Sequence, residues 1–301
     1  MISFKPEIGR VCYNRFWILS GIFVQFGLNF PLAGILSNVS LVAQLAKEAE
    51  ASGWDGCFVW DHLRITGTAS NADPWLALAL IAHETTRIKL GPLVTPIFRR
   101  NLGKLAQETT TLDHLSDGRL IMGIGLGSDE FGEISAFGGP INDLIRSEML
   151  EEGLEILTRL WSGQRVSFEG KHHRIRDAQI LPPCLQSPRI PIWIAASWGH
   201  KRPMRRAARF DGVVAVRGDM TSSLKPAAMR EMTCYIAEFR TSTSAFDIVH
   251  FGQTANLSDR EARLYVQAYA DVGVTWWIET LPLNVEKIEP IRERIRRGPP
   301  G

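Results

Sequence analysis

Trp60-Asp61-His62-Leu63 sets a carboxylate beside a group that titrates near neutral pH, the pairing that general acid–base chemistry requires. The same spacing suits a helix cap or a solvated loop pair equally well. In Gly91-Pro92-Leu93-Val94-Thr95-Pro96, two prolines restrict the backbone and withdraw N–H donors, which suits close packing against a flat ring or a strand finishing in a turn. Gly123-Ile124-Gly125-Leu126-Gly127-Ser128-Asp129-Glu130 offers small residues that would let a ligand approach the backbone. Ala195-Ala196-Ser197-Trp198-Gly199-His200-Lys201-Arg202 leads into a helical stretch, whose free N–H groups with Ser197 and Lys201 or Arg202 would complete an anion site fit for a phosphate. A surface cap with scattered basic residues is the plainer account of that last segment.

Several chemistries fail on spacing. The glycine run is not a dinucleotide fingerprint, because the next segment is acidic at once and position 147, about twenty residues on, falls inside a helical pattern. A Walker loop is absent. No metal site is expected: Gln25-Phe26-Gly27-Leu28-Asn29 lacks a His pair, His83 and His114 fall in helical patterns, and His172 and His173 lie in a hairpin. Only His250 would point inward from a strand, and a core or surface histidine accounts for it.

Short apolar, β-branched runs alternate with stretches of helical spacing from residue 21 onward, as in repeated βα units. Eight strands are predicted: Ile22–Leu28, Gly56–Asp61, Ile88–Thr95, Arg119–Gly125, Pro191–Ala196, Gly212–Val216, Asp247–Gly252 and Val274–Thr280. They are apolar on both faces, as parallel strands buried between helices and a core must be. Asn38 or Ser40 caps the first helix, and Asp73 with Pro74 opens the second. The third runs from Leu102 to Leu115, and the fourth, Leu144 to Trp161, sets Leu150, Leu154, Leu157 and Trp161 on one core stripe. Between strands four and five, Arg165–Glu169 and His172–Arg176 read as a hairpin excursion. The predicted fold is α/β, a (β/α)8 TIM barrel over residues 21–301, with 1–20 as an N-terminal extension. In such a barrel the active site forms at the carboxyl ends of the strands, which is where the segments above fall.

The chain has 301 residues, 45% hydrophobic and 22% charged, with net charge +2. That is ordinary globular usage, and without a basic stripe no nucleic-acid partner is expected. Arg10 and Arg15 before the apolar run Phe16 to Leu28 have a signal-like layout, but the run is too short to span a bilayer and is read as the first strand, with no membrane partner. Four scattered cysteines without a C-x-x-C pair fit a reducing, cytoplasmic setting. The last helix, Glu286 to Arg297, reads as a basic, solvated face.

Glu50-Ala51-Ser52-Gly53-Trp54-Asp55-Gly56, Trp60 to Leu63, Leu112-Asp113-His114-Leu115-Ser116-Asp117-Gly118-Arg119, Trp161-Ser162-Gly163, Phe168-Glu169-Gly170, Pro188 to Trp193 and Ala207 to Gly212 occur in one order. In that combination the chain resembles the luciferase-like monooxygenases and their deazaflavin-dependent relatives, from about Gly21 to Pro300. The resemblance implies an isoalloxazine or deazaflavin ring at the barrel mouth, backed by a non-proline cis peptide at Leu93-Val94, with Thr95 beside it. It implies Asp61 as a cofactor contact, His62 as acid or base, Gly125, Gly127, Ser128 and Asp129 as a cofactor-lining loop, and Ala196, Ser197 and Trp198 with Lys201 and Arg202 on the phosphate side. The region from Asp219 to Ala245 matches least well. The expected function is hydride transfer or monooxygenation of a small organic substrate by a homodimeric oxidoreductase. Coenzyme F420 is preferred over FMN because Lys201, Arg202, Arg205 and Arg206 would suit a poly-carboxylate tail. A non-catalytic flavin-binding protein of the same fold is the alternative.

Overall fold

Asn38 Oδ1 accepts from the Leu41 N–H at 3.1 Å and opens α1 (Val39–Ala51), so of the two expected caps Asn38 is the one used. Asp73 accepts from the Trp75 and Leu76 N–H groups and opens α2 (Pro74–Glu84) with Pro74 in its first turn. Asn101 caps α3 (Leu102–Leu115), which ends where expected, at Ser116, before Asp117 and Gly118 turn to positive φ. A short α4 (Glu133–Ala136) precedes α5 (Asp143–Trp161), whose stripe Leu150, Leu154, Leu157 and Trp161 is buried throughout. Then come α6 (Lys201–Ala207), α7 (Pro226–Phe239), α8 (Asp259–Ala270) and α9 (Glu289–Arg296).

The computed structural model describes residues 23–216, 224–283 and 285–300. The expected extension 1–20, Arg10 and Arg15, the start of the first expected strand at Ile22 and part of the poorly matching region lie outside the described residues. Among the described residues no helix is long and apolar enough to cross a membrane.

All eight expected strands are present, with ends moved by a few residues: β1 (Gln25–Phe30), β2 (Gly56–Val59), β3 (Lys89–Pro92), β4 (Thr95–Pro96), β5 (Met122–Gly125), β8 (Ile192–Ser197), β9 (Gly212–Val216), β10 (Asp247–Gly252) and β11 (Trp276–Thr280). They make one nine-stranded sheet, nine because the third expected strand is interrupted between β3 and β4 at Leu93-Val94. That bond is cis, as the resemblance implied. The hairpin excursion is β6 (Val166–Glu169) with β7 (Arg174–Ala178), paired antiparallel.

The chain divides into two compact units. One comprises Asn29–Pro191 with Leu281–Gly298. In it β2 pairs in parallel with β3, and β4 with β5. The other holds Ile192–Thr280 with the first part of β1, and there β8, β9, β10 and β11 pair in parallel in that order.

Within the larger unit, long-range polar clamps set where each strand begins. The Glu50 carboxylate accepts from the N–H groups of Thr86, Arg87 and Ile88, which delivers the chain into β3. Buried Arg119, expected in a strand, instead donates to the carbonyls of Ala82, Thr85, Ile88 and Ser116, and β5 starts only at Met122. The last helix also departs from its reading as a solvated basic face. Arg292 and Arg296 grip Glu48, and buried Arg294 lies over Trp54 at 4.8 Å.

Glycine is required where β3 meets the start of β5, because a Cβ on Gly91 would lie 1.8 Å from the Ile121 carbonyl oxygen. Gly91→Ala should therefore destabilise the protein by about 3 kcal/mol, at the upper end for overpacking. Urea unfolding monitored by circular dichroism measures this, and an unchanged midpoint would refute the close approach.

Candidate active site

The carboxyl ends of β2 and β4 are drawn together by main-chain and side-chain bonds within the larger unit. Trp60 N–H donates to Phe30 O at 2.9 Å and Leu93 N–H to Val59 O at 2.8 Å, so the chain leaves β2 in fixed register with its neighbours. Asp61 follows, and its side chain is 1% exposed. Its Oδ2 accepts from Thr95 Oγ1 at 2.8 Å and from Arg100 Nη2 at 2.9 Å. Its Oδ1 accepts from Arg100 Nη2 at 2.7 Å and from Arg99 Nη2 in a closer contact, and Arg99 also holds the Asp61 carbonyl at 2.7 Å. Arg100 lies over the Trp75 ring at 5.4 Å.

Arg99 continues the network, with Nη1 2.9 Å from Glu133 Oε2. The Leu63 N–H donates to the same oxygen at 2.8 Å, while Oε1 faces His62 Nδ1 at 3.0 Å. The imidazole is 25% exposed and meets the rings of Trp60 and Phe131 edge-on, at 5.7 and 5.2 Å. Among the described residues no group hydrogen-bonds its Nε2. Burial, the largest single influence, pushes the Glu133 carboxyl up. The hydrogen bond and charge of His62, the charge of Arg99 and the Leu63 N–H outweigh it and hold the carboxyl below its usual range. Within this group the guanidinium groups of Arg99 and Arg100 are matched by the carboxylates of Asp61 and Glu133.

The other expected residues of this unit are placed as follows. Leu93 is buried, Val94 is half-buried, and fully buried Thr95 is engaged with Asp61. Gly125 closes β5. The room expected over the glycines is partly filled by the protein itself. A Cβ on Gly123 would meet Pro92 O at 2.2 Å, and one on Gly127 would meet Phe98 and Pro96 at 3.0 Å. Ser128 Oγ accepts from Glu130 N, and Asp129 Oδ1 accepts from the N–H groups of Ile134 and Ser135. Led by the Ser135 bond, these contacts lower the Asp129 carboxyl and make it an anchor for α4, which carries Glu133.

In the smaller unit, Ala196 is buried and Ser197 ends β8. Trp198 N–H donates to Val216 O, and its ring meets Tyr235 edge-on at 6.2 Å. Lys201 and Arg202 are exposed at the start of α6, whose capping residue His200 supplies no side-chain bond. The basic cluster is smaller at the surface than its sequence suggests, since Arg206 is buried and Arg205 packs over Phe239 at 4.6 Å. His250 is a core histidine, stacked on Tyr269 at 4.0 Å, and burial pushes it down to about 3. No cluster of three or more His, Cys, Asp or Glu that could hold a metal ion occurs among the described residues.

Arg99, Arg100 and Glu133 were missed in the sequence. The usable signals were two adjacent cations just past Pro96, at a strand end, and an acid in the short segment after the glycine run.

A parallel α/β sheet with helices between its strands, and with a carboxylate-braced histidine just past a strand end, defines the class of fold: a β/α barrel. The chain belongs to the luciferase-like monooxygenase family, whose model matches residues 20–286. It is 37% identical over 179 residues to an F420-dependent glucose-6-phosphate dehydrogenase of Intrasporangium calvum, covering 56% of this chain and 52% of that one. It is 32% identical over 184 residues to an F420-dependent hydroxymycolic acid dehydrogenase of Mycobacterium tuberculosis, covering 59% and 49%. The matches span about half the length of these curated relatives. Among solved structures, the coenzyme F420 dependent tetrahydromethanopterin reductase of Methanopyrus kandleri superposes with a TM-score of 0.71 at 18% identity, covering 91% of this chain and 98% of that one. An F420-dependent secondary alcohol dehydrogenase in complex with an F420-acetone adduct gives 0.72 at 16% identity, covering 91% and 99%. At such identities the likeness establishes the fold, the luciferase-like barrel expected from the sequence.

Removing one partner from a buried ionic group leaves the others uncompensated. Asp61→Asn should therefore cost about 3–5 kcal/mol of stability. Urea denaturation of the variant at neutral pH reads this directly, and a loss under about 1 kcal/mol, the level of a surface pair, would show the cluster to be solvated.

Proposed function

We propose that this protein is an oxidoreductase that moves a hydride between a deazaflavin cofactor, coenzyme F420, and a small organic substrate bearing an oxidisable hydroxyl. The observation that carries the reading is His62, braced through Nδ1 by a buried carboxylate and with no partner for Nε2 among the described residues. Oxidation of an alcohol removes a hydride and a proton, and the lone-pair nitrogen of an imidazole can accept that proton. A storage protein has no use for such a group. The names of the F420-dependent dehydrogenases that this chain resembles support the choice of cofactor and of a hydroxyl substrate.

The donor chemistry fits such a group. Ser197, Lys201 and Arg202, with Ala196 and Trp198, are the proposed phosphate-side segment, on which two exposed cations stand. Asp61 and Thr95 tie the end of β2 to the end of β4 beside Leu93 and Val94, which makes these residues the proposed ring support, with Gly125, Gly127, Ser128 and Asp129 as the adjoining loop. When bound, the cofactor would supply the carbon that accepts or returns the hydride. His62 takes the hydroxyl proton in oxidation and returns it in reduction. Trp60 and Phe131 restrict the imidazole ring, and Asp61 holds Arg99 and through it Glu133.

Titration of the purified protein with F420 and with FMN at matched salt, followed by fluorescence, tests the cofactor. F420 is expected to bind more tightly. A preference for FMN of about tenfold, ~1.4 kcal/mol, would reverse the assignment, and binding of neither would overturn the oxidoreductase reading. With F420 bound, His62→Ala should lower turnover of an accepted alcohol by about a hundredfold or more while leaving cofactor affinity within about tenfold. Wild-type turnover in this variant would remove His62 from the mechanism.

A further inference from the structure

We infer that Glu133 is a positioning residue that fixes the neutral His62 imidazole as the Nδ1–H tautomer, leaving Nε2 as its one proton-exchanging nitrogen. The consequence for turnover rests on the acid–base reading of His62, whereas the tautomer itself rests on geometry alone. A carboxylate oxygen only accepts, so Oε1 at 3.0 Å from Nδ1 requires that nitrogen to carry the hydrogen. The carboxylate is in turn oriented from its other side. Oε2 takes the Leu63 N–H at 2.8 Å and lies 2.9 Å from Arg99 Nη1, and Arg99 is itself held by Asp61. With its carboxyl held below the usual range, Glu133 is ionised at neutral pH. The edge-on rings of Trp60 and Phe131 flank the imidazole and oppose its rotation.

This arrangement gives each nitrogen one task. Nε2, which has no protein partner among the described residues, accepts the substrate proton. The imidazolium so formed keeps its Nδ1–H on Glu133, which stabilises the charge as it develops. No part of the arrangement requires Glu133 to touch substrate.

Glu133→Gln separates positioning from bulk. The amide keeps the shape but has one accepting oxygen, which Leu63 N–H and Arg99 claim, so its NH2 faces Nδ1 and demands an acceptor there. The hydrogen then moves to Nε2, and the lone pair that should receive the proton turns into the protein.

The test is ring nitrogen-15 NMR on histidine-labelled protein without cofactor, at a pH above the imidazole titration, with His62 identified by loss of its signals in His62→Gln. Wild type is expected to show a proton-bearing Nδ1 and a lone-pair Nε2, and Glu133→Gln the reverse. With F420 and an accepted alcohol, Glu133→Gln should lower kcat by about a hundredfold, with KM within about threefold, as for a base presented in the wrong tautomer. A wild-type Nε2–H tautomer, or unchanged ring signals in Glu133→Gln, overturns the inference. The wild-type spectrum decides the matter even if the variant does not fold. Should the spectra come out as expected while His62→Ala keeps full turnover, the tautomer assignment stands and the acid–base reading falls.

Discussion

Asp61 carries a charge with almost no water to share it, so its position depends on the cations that fold around it. Arg99 and Arg100 are adjacent in the chain, yet they do different work on that carboxylate. Arg100 covers both oxygens and lies over Trp75, while Arg99 spans from Asp61 to Glu133. Because Glu133 braces His62, the buried ionic group transmits its rigidity to the one partly exposed imidazole at the end of β2. An imidazole built on such a support keeps its ring orientation through Nδ1 alone.

A second constraint is steric. Gly91 and Gly123 admit backbone and side-chain atoms of the neighbouring strand where any Cβ would collide. The same close approach sets the break between β3 and β4 against β5. Gly123 within β5 and Gly127 just after it therefore first serve internal packing. Asp129, two residues further on, anchors the turn of helix that presents Glu133, so the loop's influence on His62 runs through backbone N–H groups.

The motifs that carry the family likeness turn out to be largely scaffold. Glu50 clamps the entry to β3, and Trp54 Nε1 donates to Ile295 O at the last helix. Asp113 accepts from Leu185 and Gln186, and Arg119 bridges four carbonyls. Each joins segments far apart in the chain through a buried or half-buried polar group whose loss would leave partners unsatisfied. This is why they are specific as a set: a polar clamp needs one residue type at one place, whereas a core leucine can be exchanged for another apolar side chain.

Local rules were enough to order the elements from sequence. Caps at Asn38 and Asp73, the limits of α3, the apolar strands and the position of Asp61-His62 just past β2 all depend on residues within a turn or two of one another, where periodicity and hydrogen bonding act directly. The partners of that pair were not legible. Asp61 meets Thr95, Arg99 and Arg100 across 34 to 39 residues, and His62 meets Glu133 across 71. Likewise Arg206 and Arg294 read as surface cations and are buried. Charge pairing over such separations leaves no periodic trace in a single sequence, because Coulomb attraction and desolvation depend on distance in space. Only the closing of strands and helices on one another decides which charges are left together away from water.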